Sequence, residues 1–330
     1  MYQSSKYWGQ LNSNVYVVGI PNTTAPTSKI RTNFNSSLDA TGSAATDVSF
    51  TGLRNLKISS AKPNNMVCVL NSASTDHIIW YSTDGGNTWN HPTTGNTTHG
   101  LGANISYNGN VMGVLRTHAS PSYYYSSDAG ATWGSINPSF ALPRGLSYNN
   151  DGTKGFFVSG SVAKGGLITN VSTITNKTIP WTASDSYMTR DGSKVWIMQY
   201  TNASNTVAAY STNDGTSWTT VTVESGSGIQ TGAATMDGSD DGKHIVIWPG
   251  ATHNHIYVSN DGGVTWNKRT LGATSYGYSL SMSKSGKYIV IASDTVNGKY
   301  FYSTDYGQTF SNTTISGVSA IFGALSVQEF

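Results

Sequence analysis

Three acids pose the first chemical question. Asp185, Glu224 and Asp294 lie in the second half of the chain, and a glycosidic bond is split by two carboxyl groups held roughly 5–9.5 Å apart. Their spacing does not say which two would meet. His253 and His255 flank a single asparagine, which puts both imidazoles on one face of an extended strand. A metal centre needs a third ligand that the sequence does not identify. The pair therefore reads as loop histidines, and neither a metal nor a cofactor is predicted. The sequence has no Gly-x-Ser-x-Gly elbow, no phosphate-binding glycine loop and no Cys/His zinc spacing.

Composition narrows the field further. Only 11% of the 330 residues are charged and the formal net charge is +2. Without a Lys/Arg stripe, electrostatic capture of nucleic acid or anionic lipid has no support. Gly, Ser, Thr, Asn and Tyr are abundant, a mix that suits short strands and tight turns rather than helices. Cys68 is the single cysteine and sits in "MVCVL", so it reads as a buried structural thiol. The opening "MYQSSKYWGQLNSN" has no apolar stretch suited to a secretory signal, and no run approaches the roughly 18 apolar residues of a membrane span. No signal peptide and no membrane insertion are expected.

The elements that must position any site are announced by a repeat. "YSTDGGNTWN" (81–90) returns as "YSSDAGATWG", "YSTNDGTSWT", "VSNDGGVTWN" and "YSTDYGQTFS". The third residue of S-x-D-x-G-x-T-W falls at Asp84, Asp128, Asn213, Asp261 and Asp305, at steps of 44, 85, 48 and 44. Worn copies at Asn176–Trp181 and near Asp39 bring the count to seven units. Each unit also holds a short strand, a turn with Gly or Asp/Asn, and an apolar strand, as in "MTRDGSKVWIM" (188–198). A third strand runs into the phrase and a fourth follows it. Four antiparallel strands in about 44 residues is the size of one propeller blade.

The expected fold is therefore all-β: a single seven-bladed β-propeller of four-stranded antiparallel blades. Its blades run over roughly 51–96, 97–140, 141–183, 184–228, 229–273 and 274–317, with a seventh made of 318–330 plus 13–50. That composite blade takes one strand from the C-terminus and three from the N-terminus, which removes open sheet edges. Residues 1–12, with Tyr2, Tyr7 and Trp8, read as an N-terminal arm.

The repeated phrase resembles the Asp-box, or BNR repeat, of sialidases and related propellers. In that family the box forms the turn between the third and fourth strands of a blade. The acid accepts hydrogen bonds from turn amides, the glycine allows the turn, and the indole anchors the hairpin. Asp84, Trp89, Asp128, Trp133, Asn213, Trp218, Asp261, Trp266, Asp305 and Phe310 are accordingly structural. The resemblance places the boxes away from the usual ligand face. It leaves Arg54, His99, Arg116, Arg144, Asp185, Tyr187, Glu224, Trp248 and Tyr276 on the opposite face as candidate ligand-binding residues.

Sialidases clamp a carboxylate with three arginines, and Arg54, Arg116 and Arg144 come from three successive blades. Against that activity, the chain has two glutamates, and "KIRTNF" stands where an Arg-Ile-Pro signature is expected. Xyloglucan-cleaving relatives place two carboxylates between paired propellers, and this chain supplies one. The reading is a non-enzymatic binding or structural propeller, with a glycosidase on the face opposite the boxes as the alternative. Few charges and abundant Ser/Thr/Asn/Gly resemble many virus structural proteins, which points to a virion surface or cell surface. Glycans or neighbouring structural proteins are the expected partners.

Overall fold

A computed structural model describes residues 15–19, 28–34, 44–48, 53–70, 77–92, 100–116, 123–138, 141–202, 204–226, 234–250, 253–271, 279–292 and 299–314. Up to residue 54 only the course of the backbone is described. The proposed N-terminal arm, His99, Tyr276 and Asp294 lie outside these residues. Among the described residues every regular element is a strand, and the strands form separate antiparallel sheets.

Blades 2 to 6 are four-stranded meanders, and blade 1 is a three-stranded sheet whose fourth position is held by a Tyr81–Asn90 bridge. The innermost strands are Leu53–Ile58, Gly100–Ile105, Pro143–Tyr148, Ala183–Met188, Thr235–Gly238 and Leu280–Met282. Each packs beside the next around a common axis. Among the described residues the blade series has six members, one fewer than predicted. The three N-terminal strands of the expected composite blade do form a sheet, from Val15–Gly19, Ser28–Phe34 and Ala44–Val48. The C-terminal strand expected to join it falls in 318–330, outside the described residues. A sequence period counts units, but closure depends on a pairing between distant ends that the period does not contain.

Burial explains why the sheets stack. The second strand of each blade is largely apolar, and Met66–Leu70, Met112–Arg116 and Ile245–Trp248 are buried along their whole length, because both faces meet neighbouring blades. Each seam has its own apolar cluster. Val67, Ile79, Met112 and Tyr124 fill the seam between blades 1 and 2. Trp196, Met198, Ile247 and Tyr257 fill the one between blades 4 and 5. The outermost strands, such as Thr219–Ser225, stay largely exposed and polar.

Two turn motifs, both on one side of the ring, recur: the Asp-box in blades 1, 2, 4, 5 and 6, and a second turn in blades 2 to 6. In blade 3 the third and fourth strands are joined through Asn170–Ser172 instead, and the worn copy read at Asn176–Trp181 begins inside the fourth strand, Thr173–Thr178. In the Asp-box of blade 5, Asp261 Oδ1 accepts from Thr265 N at 2.9 Å and Ser259 Oγ at 2.8 Å, while Gly263 N donates to Ser259 Oγ at 2.8 Å. The same bonds recur around Asp84, Asp128, Asn213 and Asp305. The second motif joins the first and second strands: Ser106-Tyr107-Asn108-Gly109, Asn149-Asn150-Asp151-Gly152, Thr189-Arg190-Asp191-Gly192, Ser239-Asp240-Asp241-Gly242 and Ser283-Lys284-Ser285-Gly286. In three of these turns the first residue's hydroxyl donates to the third residue's side-chain oxygen, at 2.8, 2.7 and 2.6 Å. The two motifs touch within a blade, with Ala129 N donating to Asn110 O and Gly262 N to Lys243 O, both at 2.8 Å.

Candidate binding site: the axial channel

The inner strands enclose a channel of about 220 Å³, lined by residues of all six blades. One mouth is edged by the second turn motif. Its variable position holds Tyr107, Asn150, Arg190, Asp240 and Lys284, all of which line the channel, as does Ser60 in the corresponding turn of blade 1. Backbone bonds tie these turns into a belt. Ala61 N donates to Tyr107 O at 3.0 Å, Asn108 N to Asn150 O at 3.0 Å and Asn150 N to Arg190 O at 2.7 Å. Arg190 N then donates to Asp240 O at 2.9 Å, and Asp240 N to Lys284 O at 2.8 Å. The repeat thus fixes the turn and varies the side chain offered at the axis.

Further in, the channel is zwitterionic. Asp185 on Ala183–Met188 accepts from Thr235 Oγ1 at 2.6 Å and from Met236 N at 3.0 Å, both on the next blade's inner strand, and from its neighbour Ser186 N at 2.9 Å. Burial raises its carboxyl above the usual value, against the pull of these bonds and of Lys57. Asp237 repeats the device one blade on, accepting from Met282 N at 3.0 Å and Gly238 N at 2.9 Å. Lys57 Nζ, on blade 1, stands 3.7 Å from Asp237 Oδ2 on blade 5.

At the belt mouth the Arg190 guanidinium lies 3.5 Å over the Tyr107 ring. Its Nε donates to Asn150 Oδ1 at 3.0 Å, and its Nη1 reaches Asp240 Oδ2 at 3.4 Å. Burial lifts the Asp240 carboxyl to about 6, although Arg190 and Lys284 pull it down.

The candidate residues read from sequence are distributed over several environments. Arg144 and Asp185 line the channel, with the Arg144 guanidinium 4.9 Å from the Tyr200 ring. Tyr187 also lines it, but its hydroxyl donates to Ser239 O on the next blade. Arg116 is fully buried, 5.4 Å from the Tyr124 ring. Trp248 is fully buried in the seam between blades 5 and 6. Arg54 lies on the inner strand Leu53–Ile58, and its side chain is outside the description. Glu224 sits on an outermost strand, held by Lys268 Nζ at 3.0 Å and by the Tyr257 hydroxyl. The His253 and His255 rings meet at 4.9 Å, and His255 Nε2 pairs with Tyr257 Oη at 3.0 Å. Burial, with Lys268 and His253 nearby, pushes His255 down to about 4.

Sequence reasoning missed Lys57, Tyr107, Arg190, Asp237, Asp240 and Lys284. For Tyr107, Arg190, Asp240 and Lys284 the signal was present, since each is the variable second residue of a repeated four-residue turn.

The BNR/Asp-box repeat family matches residues 257–268. No curated protein sequence matches the chain. Among solved structures, a GH74 enzyme of Niastella koreensis is similar at 16% identity and TM-score 0.54, over 94% of this chain and 64% of the enzyme's. This chain therefore spans less than two thirds of that enzyme. YCF48 bound to a D1 peptide is similar at 14% identity and TM-score 0.59, over 94% of this chain and 90% of that one. A chain of a nidogen/laminin complex is similar at 8% identity and TM-score 0.56, over 96% of this chain and 98% of that one. At these identities the likeness is one of fold. The recurring boxes, the family match over 257–268 and the antiparallel blades together show a β-propeller fold that carries BNR/Asp-box repeats.

Proposed function

We propose that the chain is a non-catalytic binding propeller that holds glycans or neighbouring structural proteins, as a component of a virion or cell surface. The observation that supports this is the use made of the channel's acids. Asp185 and Asp237 each accept backbone amides from the next blade. A carboxylate fixed in this way braces the ring, and rotating it toward a substrate would leave buried donors unpaired, at roughly 1–3 kcal/mol each. Glu224 is committed to Lys268 and Tyr257 on the outer strands of the next seam. A polar channel ringed by different side chains from each blade suits recognition. The similarity to YCF48 bound to a peptide and to a nidogen/laminin complex is compatible with it.

A glycan array at high ligand density, run beside a pull-down of particle-associated proteins, tests the reading. Binding in either, lost on truncating channel-mouth side chains, supports it; silence in both removes it.

Turnover of aryl glycosides that disappears in Asp185→Asn would establish the glycosidase alternative over the binding reading.

A further inference from the structure

Arg190 is held as a receptor is held. Its plane is held over Tyr107 at 3.5 Å and its Nε by Asn150 at 3.0 Å, so the Nη1/Nη2 edge is the one these two partners leave unengaged. On that edge the bond to Asp240 is long, at 3.4 Å, and the two side chains remain 40% and 29% exposed. Among the described residues Nη2 has no hydrogen-bond acceptor. A guanidinium fork matches a planar carboxylate through two parallel N–H bonds, and here the protein's own carboxylate occupies the fork end imperfectly. Lys284 adds a second cation from the adjacent turn, and Asp237 faces the group from the inner strand.

We propose that Arg190, with Tyr107, Asn150 and Lys284, forms a carboxylate-binding site at the belt mouth of the channel, in which Asp240 is an internal occupant that the ligand's carboxylate displaces. This deepens the binding reading above by naming the chemical class of the ligand. The turn's second position is in keeping with it: the five turns keep small polar residues at the first position, Asn, Asp or Ser at the third and glycine at the fourth, and vary most at the second residue, which lines the channel.

The site would open as Asp240 takes up a proton. Burial, helped by the Asp237 charge and opposed by Arg190 and Lys284, puts its carboxyl at about 6. The competent fraction, and with it the apparent affinity, rises as pH falls from 7.5 to 5.5, by about twentyfold if only the neutral form yields the fork.

Calorimetric titration of the full chain with sodium acetate is the direct test. Acetate should bind the wild type more tightly at pH 5.5 than at 7.5, and bind Asp240→Asn at pH 7.5 about as tightly as the wild type at 5.5. Arg190→Gln should abolish binding, and Arg190→Lys should recover less than a tenth of it. N-acetylglycine and glucuronate, titrated in parallel, tell a peptide C-terminus from a uronic acid as the source of the carboxylate. Acetate binding unchanged in Arg190→Gln would overturn the proposal, as would no binding to a folded Asp240→Asn protein. Sulfate binding as tightly as acetate would overturn the carboxylate assignment. Failure of the glycan array and pull-down leaves these titrations unaffected, so the two readings fall separately.

Discussion

Gly263 of blade 5 packs closely on the indole of Trp196 on blade 4: a Cβ at Gly263 would stand 2.4 Å from the ring. The relationship repeats around the ring. Gly130 meets Tyr81, Gly215 meets Phe156 and Gly307 meets Val258, each on the preceding blade. The box glycine therefore serves the seam between blades as well as its own turn.

Replacing Gly263 with alanine should cost about 2–3 kcal/mol, combining overpacking with a φ of +89°. The adjacent Gly262 has φ +74° and its nearest neighbour is a carbonyl oxygen at 3.6 Å, so Gly262→Ala should lose only about 1 kcal/mol. Urea denaturation of the two variants checks the difference. Equal losses would show that backbone strain alone accounts for the glycine.

The boxes should register at the acid end of the stability profile. Hydrogen bonds from Thr265, ahead of those from Ser259 and Val264, hold the Asp261 carboxyl down at about 2. An acid depressed in the fold stabilises it above its unfolded value near 3.8 and loses that contribution as pH falls through about 2. Asn213 occupies the same position in blade 4, with its Oδ1 accepting from Ser217 N at 2.9 Å and its Nδ2 donating to Ser217 Oγ at 2.9 Å. Asp261→Asn should thus fold normally and show a shallower loss between pH 4 and 2. Asp261→Ala should lose about 1 kcal/mol at pH 7, as expected for bonds in an exposed turn. Chemical denaturation across that pH range decides.

His255 predicts a separate limb at milder pH. Its imidazole titrates at about 4 in the fold against about 6.5 in the unfolded chain. The neutral form is the folded one, so stability is complete above about 6.5 and declines as pH falls toward 4. The full loss approaches about 3 kcal/mol. In His255→Gln this limb should vanish while the box-dependent loss below pH 4 remains. Melting temperatures at pH 7, 5.5 and 4.5 separate the two.

The Asp-box hairpins were legible in the primary structure because every partner lies within six residues. Ser259, Asp261, Gly263 and Thr265 bond to one another, so their spacing alone specifies the turn. The strand–turn–strand units and the all-β class followed from the same local chemistry. Residue type was a weaker guide to ligand contact. Trp248 and Arg116 have the chemistry of ligand contacts, yet both are wholly buried, and Tyr187 spends its hydroxyl on Ser239.

What the amino-acid order determined, then, was the repeated unit and its turns, where hydrogen-bond partners are near neighbours along the chain. The tertiary structure alone decided which side chains share the axis. Lys57 and Asp237 lie 180 positions apart and meet at 3.7 Å, while Tyr107 and Arg190 come from blades 2 and 4. Such contacts depend on how many blades assemble and how each is rotated about the ring. Packing in the seams sets both, and no single unit encodes them.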